Sequence, residues 1–321
     1  LIHMPDSGNT IYDVAIIGSG PAGLTASIYA SRYKLSNIVF GKEIGGTITG
    51  AHKVCNFPGL QDISGIDLGM RMYEHAKSLG GEYIAESIKD IKKENNMFVL
   101  TSETGKEYLS KTIIIATGTN RNKLDLPNEE YYLGKGLSYC CTCDGMFFKN
   151  KIVAVVGGSS AATMSACMLS DIAKKVYIIY RGAQLRGDTT WIEDAVNKKN
   201  VEVIYTTVVT ALEGKDKLER IKLSKPYKDS EYLYVDGLFV EIGSQPYIDI
   251  PNKLGVQLDE KGYIKVLGNQ STNIDGVWAA GDCTNALDNF KQVITASAQG
   301  AVASNSIYSY LAGGEKTPSF N

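Results

Sequence analysis

Ile11 to Ile17 is an apolar run of strand length that passes straight into Gly18-Ser19-Gly20-Pro21-Ala22-Gly23, and a helical pattern follows to about Tyr33. Strand, glycine turn and helix in that order leave few folds open. Gly18 suits the tight turn, Gly20 lets backbone approach a pyrophosphate, and Gly23 lets helix and strand pack closely. The phosphates of a dinucleotide then rest on the helix N-terminus. A second strand, Ile38-Val39-Phe40, leads to Glu43, about 20 residues past Gly23, where an acid can bond an adenosine ribose. A solvated loop carboxylate is the plain alternative for Glu43. Gly18, Gly20, Pro21, Ala22, Gly23 and Glu43 are therefore candidate cofactor contacts.

The same unit starts again further on. Lys151 to Val156 is an apolar strand, then come Gly157-Gly158-Ser159-Ser160-Ala161-Ala162, a helix to about Asp171, and a strand at Val176 to Ile179. Between the two copies the pattern predicts a helix over 67–79 and strands over 82–91, 98–101 and 111–116. Ala116-Thr117-Gly118 ends the last of these; its small residues leave room for a cofactor, or simply make a turn. After the second copy a helix is predicted over 190–198 and strands over 201–205, 217–224 and 237–242. A short strand then delivers Gly281-Asp282, and a helix covers about 292–310. The reading is an α/β chain with two Rossmann-like dinucleotide-binding domains of the three-layer ββα type. The first is discontinuous, 11–120 with 247–321, and the second spans 121–246. Turn-rich stretches at 120–126 and 243–246 mark the crossings.

Just before the second copy lies Cys140-Cys141-Thr142-Cys143-Asp144. Cysteines three apart can share one side of a helical turn, and a thiolate at a helix N-terminus is a ready nucleophile with a lowered pKa. Asp144 can pass a proton to the thiolate made when a disulphide opens. Half of a zinc site has the same spacing, yet Cys55, Cys167 and Cys283 stand alone and the three histidines do not cluster, so no metal is expected. Those three cysteines and Cys141 read as small packing residues. Net charge is −2, which gives no basic footprint for nucleic acid, and no apolar run is long enough for a membrane helix. Leu1 to Thr10 has no signal-peptide pattern, and six cysteines without a paired framework fit a cytoplasmic protein.

Two dinucleotide folds with a Cys-x-x-Cys in the second resemble the low-molecular-weight thioredoxin reductases. The resemblance spans the chain after Thr10. It rests on Gly18 to Gly23, Asn56-Phe57-Pro58-Gly59, Ala116-Thr117-Gly118, Cys140 to Gly145, Val235-Asp236-Gly237 to Ile242-Gly243, and Ala279-Ala280-Gly281-Asp282. It implies FAD in the first domain, with Gly46, Asn56, Ala116, Thr117, Gly118, Gly281, Asp282, Lys291, Gln292 and Val293 joining the contacts already named. Lys291 stands where the family has arginine, keeping the charge without the planar fork. The resemblance also implies that Cys143 faces the flavin, Cys140 attacks the partner disulphide and Asp144 is the acid. It implies a rotation between domains that exposes Cys140, thioredoxin or a similar small dithiol protein as partner, and a homodimer.

The second glycine turn departs from the family. Ser159 replaces the second glycine, and its Cβ stands where a pyrophosphate would pass. Met164-Ser165 replaces an acidic pair. Arg181 and Arg186 match the family's clamp for a ribose 2′-phosphate, but Gly182 replaces one arginine. Each charge-assisted contact is worth roughly 1.5–3 kcal/mol, so one lost arginine weakens NADPH binding by one to two powers of ten. Gly157, Gly158, Ser159, Ser160, Arg181 and Arg186 are the candidate NAD(P)H contacts, and NADPH is expected to be a poor donor. NADPH held through other contacts, NADH and a donor that is not a nicotinamide all stay open. The expected activity passes electrons from a donor to FAD, to Cys140–Cys143 and to thioredoxin. The alternatives are a flavin reductase of another small dithiol protein and a flavin-linked redox sensor.

Overall fold

The computed structural model describes residues 10–51, 54, 56–139, 141–287 and 290–313, without the side chains of Thr142 and Cys143. The chain divides into two units, Leu1–Asn120 with Pro246–Asn321, and Arg121–Gln245. Pro246 thus falls with the first unit.

In the first unit Ile11–Ile17 is the hub of a sheet. Asn37–Phe40 pairs with it in parallel on one side and Glu107–Ile115 on the other. Glu82–Ile84 extends the sheet beyond Asn37–Phe40. Beyond its pairing with Ile11–Ile17, Glu107–Ile115 serves two further partners. Its first half pairs antiparallel with Met97–Ser102, which pairs in turn with Ile88–Glu94, while Ile113, Ile114 and Ile115 lie parallel to Val277, Trp278 and Ala279. One long strand therefore belongs both to the parallel sheet and to an antiparallel meander. The single strand expected over 82–91 is two strands, broken at Ala85-Glu86-Ser87, because the chain leaves one sheet edge and enters the meander.

Helix Pro21–Arg32 and helix Val293–Leu311 cover this sheet. Val14, Ile16, Ala22, Ala26, Ala30, Ile114, Trp278, Ala303 and Ile307 form the buried seam between them. The seam is narrow because its helix residues are small. A Cβ on Gly300 would stand 2.1 Å from the carbonyl oxygen of Ala22, and Ser304 Oγ donates to the Ala26 carbonyl at 2.8 Å. The three alanines at i, i+4 and i+8 give the first helix one smooth face.

The second unit has its own parallel sheet. Its order is Val201–Ile204, Lys175–Ile179, Ile152–Val156, Gly237–Val240 and Leu137–Ser138. Helices Ser160–Ser170 and Thr189–Asn197 pack beside it. An antiparallel sheet of Val209–Glu213, Arg220–Tyr227 and Ser230–Tyr234 forms another layer, of which the sequence pattern shows only the central strand. Among the described residues no helix is long and apolar enough to cross a membrane.

Candidate functional site

Ile17, Ile115 and Ala279 sit in register at the ends of three neighbouring parallel strands. The residues that follow them therefore emerge together. Gly18, Ala116 and Ala280 all line one cavity of about 730 Å³, within the range of roughly 300–1,000 Å³ that cofactor sites occupy. Ligands in open α/β sheets bind outside the carboxyl ends of strands, where successive connections leave in opposite directions.

Each glycine of the first turn has its own physical role. Gly18 has φ +121°, and a Cβ there would stand 2.0 Å from the Ala116 carbonyl oxygen, so no other residue fits. On Gly23 a Cβ would stand 1.9 Å from the Gly18 carbonyl oxygen, so this glycine sets the packing of helix on turn and does not line the cavity. Gly20 is different. A Cβ there would meet only the Gly45 carbonyl oxygen, at 3.8 Å, and its free face opens on the cavity. Helix Pro21–Arg32 starts at Gly20 without a side-chain cap and without an acid in its first turn. Its positive end is left for an anion.

Ser19 ties this turn to the loop after the second strand. Its hydroxyl donates to the Glu43 carbonyl at 2.7 Å, and its own carbonyl accepts from Gly45 N–H at 2.8 Å. Glu43 and Gly46 are thereby held on the cavity wall, which Pro21 and Ala22 also line. Thr117 and Gly118 line it from the next strand end, and a Cβ on Gly118 would meet nothing within 4 Å. Gly281 N–H donates to Gln299 Oε1 at 2.6 Å, which fixes the turn that presents Asp282. Asp282 lines the cavity, and burial pushes its carboxyl above the ordinary aspartate value despite Lys291 nearby. Lys291 Nζ donates to the Asp282 carbonyl at 2.9 Å and lies over the Tyr263 ring. Gln292 and Val293 complete that wall. Asn56 does not line the cavity; its Nδ2 donates to Gln292 Oε1 at 2.9 Å, so it acts on the wall through a neighbour.

Tyr247, Asp249 and Ile250 also line the cavity, as do Ser87 and Glu103. Sequence reasoning missed them. They come from segments far apart along the chain and carry no motif; only the return of the chain after Pro246 pointed to the first three.

The Cys-x-x-Cys falls partly outside the described residues. Cys140 and Cys55 lie outside them, and so does the Cys143 side chain. Backbone helix Cys141–Asp144 follows Leu137–Ser138, the edge strand of the second sheet. Cys141 is buried, its thiol points to the Ser165 carbonyl at 3.5 Å, and burial pushes it up to about 12. Cys167 and Cys283 are buried too, and both thiols are raised to about 11, chiefly by burial. None of the three is a reactive thiolate at neutral pH.

In the second unit Gly157 has φ +145°, and a Cβ there would stand 2.1 Å from the Glu241 carbonyl oxygen, so the first glycine of this turn is as constrained as Gly18. Gly158 is buried, Ser159 is exposed and starts helix Ser160–Ser170 without a side-chain cap, and Arg181 and Arg186 are exposed. Ser165 Oγ, where the family has an acid, donates to Glu241 Oε1 at 3.0 Å; a carboxyl from the neighbouring strand stands beside that position.

The family model for pyridine nucleotide-disulphide oxidoreductases matches residues 12–300. The chain is 34% identical over 308 residues to a thioredoxin reductase of Bacillus subtilis, across 95% of this chain and 96% of that one. It is 37% identical over 299 residues to a thioredoxin reductase of Mycoplasma genitalium, across 91% and 93%. A solved thioredoxin reductase of Lactococcus lactis superposes with a TM-score of 0.88 at 32% identity, across 94% of this chain and 99% of that one.

Proposed function

We propose, for a chain that belongs to the pyridine nucleotide-disulphide oxidoreductase family and within it to the thioredoxin reductases, that it reduces the disulphide of thioredoxin through Cys140 and Cys143. It is an FAD-dependent disulphide oxidoreductase. The observation that carries the reading is the cavity of about 730 Å³ above an uncapped helix N-terminus. It fits a long molecule with a pyrophosphate in the middle. Backbone N–H groups at Gly20 to Gly23 would take the phosphates, Glu43 a ribose hydroxyl, and Asp282 a hydroxyl of the ribityl chain. Lys291 would supply positive charge at the flavin end. When bound and reduced by a donor, the flavin would supply the two electrons that regenerate the dithiol.

The partner's chemistry needs only this chain's thiols. Cys140 as thiolate attacks one sulphur of the partner disulphide; that S–S bond breaks, and the other partner sulphur leaves as a thiolate that takes up a proton. Cys143 then attacks Cys140 of the mixed disulphide, releasing the partner as a dithiol and leaving a Cys140–Cys143 disulphide. Two electrons have moved from this chain to the partner. Asp144, next in sequence to Cys143, is the residue assigned to move the proton. A homodimer in the cytoplasm belongs to the same proposal.

The test is turnover with an artificial reductant. Under anaerobic conditions reduced methyl viologen is supplied with catalytic holoprotein and excess oxidised thioredoxin. Thioredoxin dithiol should accumulate over many cycles. Reduction that stops at one equivalent per chain would leave a sensor and overturn the reductase reading.

A further inference from the structure

The family implies a pyridine nucleotide on the second glycine turn, and the residues around that turn do not fit one. Six contacts, all inside the second unit, converge there. The Tyr180 ring lies flat against Gly158, where a Cβ would stand 2.4 Å from Cδ2 and Cε2. The other edge of the ring covers Gly182, where a Cβ would stand 2.6 Å from Cε1. Leu185 is 6% exposed and packs into the core cluster under helix Ser160–Ser170. Arg186 N–H donates to the Gly158 carbonyl at 2.7 Å. Gly187, at φ +129°, presses on the helix start, where a Cβ would stand 2.6 Å from Ser160 N. Asp188 N–H donates to Ser160 Oγ at 2.8 Å.

A dinucleotide fold works when the backbone at the second glycine of the motif, here Ser159, and the first N–H groups of the helix face open space. Here Ser159 itself is exposed, but an aromatic ring covers Gly158 beside it and Gly187 stands against Ser160 N at the helix start. The cover is anchored rather than loose. Leu185 buries its side chain, and Tyr180 is fixed at both backbone atoms, with N–H to the Ile204 carbonyl at 2.9 Å and its carbonyl to Thr207 N–H at 3.1 Å. Gly187 is what allows the close approach, since an L side chain is strained at its φ and would collide with backbone.

We propose that segment Tyr180–Asp188 occupies the second glycine turn in place of a dinucleotide, so that neither NADPH nor NADH seats there and the second unit acts as the carrier of the redox cysteines. Ser159 and Gly182 are then consequences of a site no longer in use more than causes of weak binding. Restoring an arginine at 182 alone cannot restore the site, because its Cβ meets the Tyr180 ring. The proposal deepens the functional reading above by removing one class of donor; it uses no thioredoxin turnover, so its failure leaves the disulphide reductase reading standing.

The experiment is direct binding to the holoprotein. Calorimetric titration with NADPH and with NADH should give dissociation constants weaker than about 1 mM. Hydrogen exchange at Arg186 and Asp188 N–H should be slow and unchanged by 5 mM NADPH. A constant below about 100 μM for either nucleotide, with altered exchange at those two amides, overturns the proposal. The triple variant Tyr180→Ala, Gly182→Arg, Gly187→Ala should gain at least tenfold in NADPH affinity. If that variant keeps its flavin and its circular dichroism and gains nothing, the assignment of the closure to this segment is wrong. Should it not fold, the single variant Tyr180→Ala, which exposes Gly158 without straining the backbone, is held to a gain of at least threefold under the same terms.

Discussion

The ammonium of Lys291 stands 3.4 Å from the centroid of the Tyr263 ring. With the hydrogen bond to the Asp282 carbonyl, this fixes a cation at the cavity wall where the family carries an arginine. The ring face supplies part of the holding that a planar guanidinium fork would get from paired acceptors. Lys291→Met should weaken FAD about tenfold, or ~1.4 kcal/mol, with little change in the melting temperature of the cofactor-free protein. Tyr263→Leu should act in the same direction and less. Flavin fluorescence on dilution measures both. An FAD affinity equal to wild type in Lys291→Met would remove Lys291 from the account.

Gly18 and Gly20 make a paired prediction. Gly18→Ala puts a methyl 2.0 Å from a carbonyl oxygen at φ +121° and should cost at least about 3 kcal/mol of stability together with the cofactor. Gly20→Ala places its methyl in the cavity, 3.8 Å from the one protein atom near it. Its cofactor-free stability should stay within about 0.5 kcal/mol of wild type while FAD binding falls steeply. Equal losses of stability in the two variants, by denaturant titration, would contradict a turn built around a phosphate.

Asp282 gives a prediction in pH. Its folded-state pKa is raised above the ordinary value of 3.8, mainly by burial. The folded protein holds that proton more tightly than the unfolded chain does. The resulting stabilisation is fully present below pH 3.8 and is lost as pH rises through the raised value. At neutral pH the buried carboxylate is therefore a cost in the cofactor-free protein. Asp282→Asn should raise its melting temperature at pH 7, with the gain shrinking towards pH 4, while FAD retention falls. A gain that grows on acidification would reverse the assignment.

Much of this was legible in the sequence, for a physical reason. Gly18 and Gly157 sit where backbone needs a positive φ and no Cβ, so chain geometry writes them into the residue string. Asp282 follows a short apolar strand and a glycine, which placed it at a strand end. The walls at Ser87, Glu103, Tyr247 and Asp249 were not legible, because what selects them is distance in space, with no spacing along the chain. Two of the three strands of the antiparallel layer were not legible: Val209–Glu213 and Ser230–Tyr234 are five residues each and bury only Val209 with Leu212, and Leu233, with no regular alternation to read. In the sequence, Ser159 reads as a side chain in the path of the pyrophosphate and Gly182 as a missing arginine. That Tyr180 fills the same space needed the structure, since nothing in Tyr-Arg-Gly-Ala-Gln-Leu-Arg says which way the ring turns.

Cys141 should be silent. Its buried thiol, raised to about 12, should resist alkylation in the folded holoprotein at pH 8, and Cys141→Ala should keep disulphide reduction within about twofold of wild type at a stability cost of roughly 1 kcal/mol. Mass spectrometry after iodoacetamide treatment checks the first point. Rapid modification at Cys141 would make it a third redox thiol.

The exchange chemistry itself is tested most directly by trapping. Cys143→Ser holoprotein is mixed with a thioredoxin whose second cysteine is replaced and whose first carries a 2-nitro-5-thiobenzoate leaving group. The account predicts release of one thiolate per chain and a stable mixed disulphide that peptide mapping places at Cys140, with the flavin still bound. No covalent complex, or one mapped to Cys141, would contradict it.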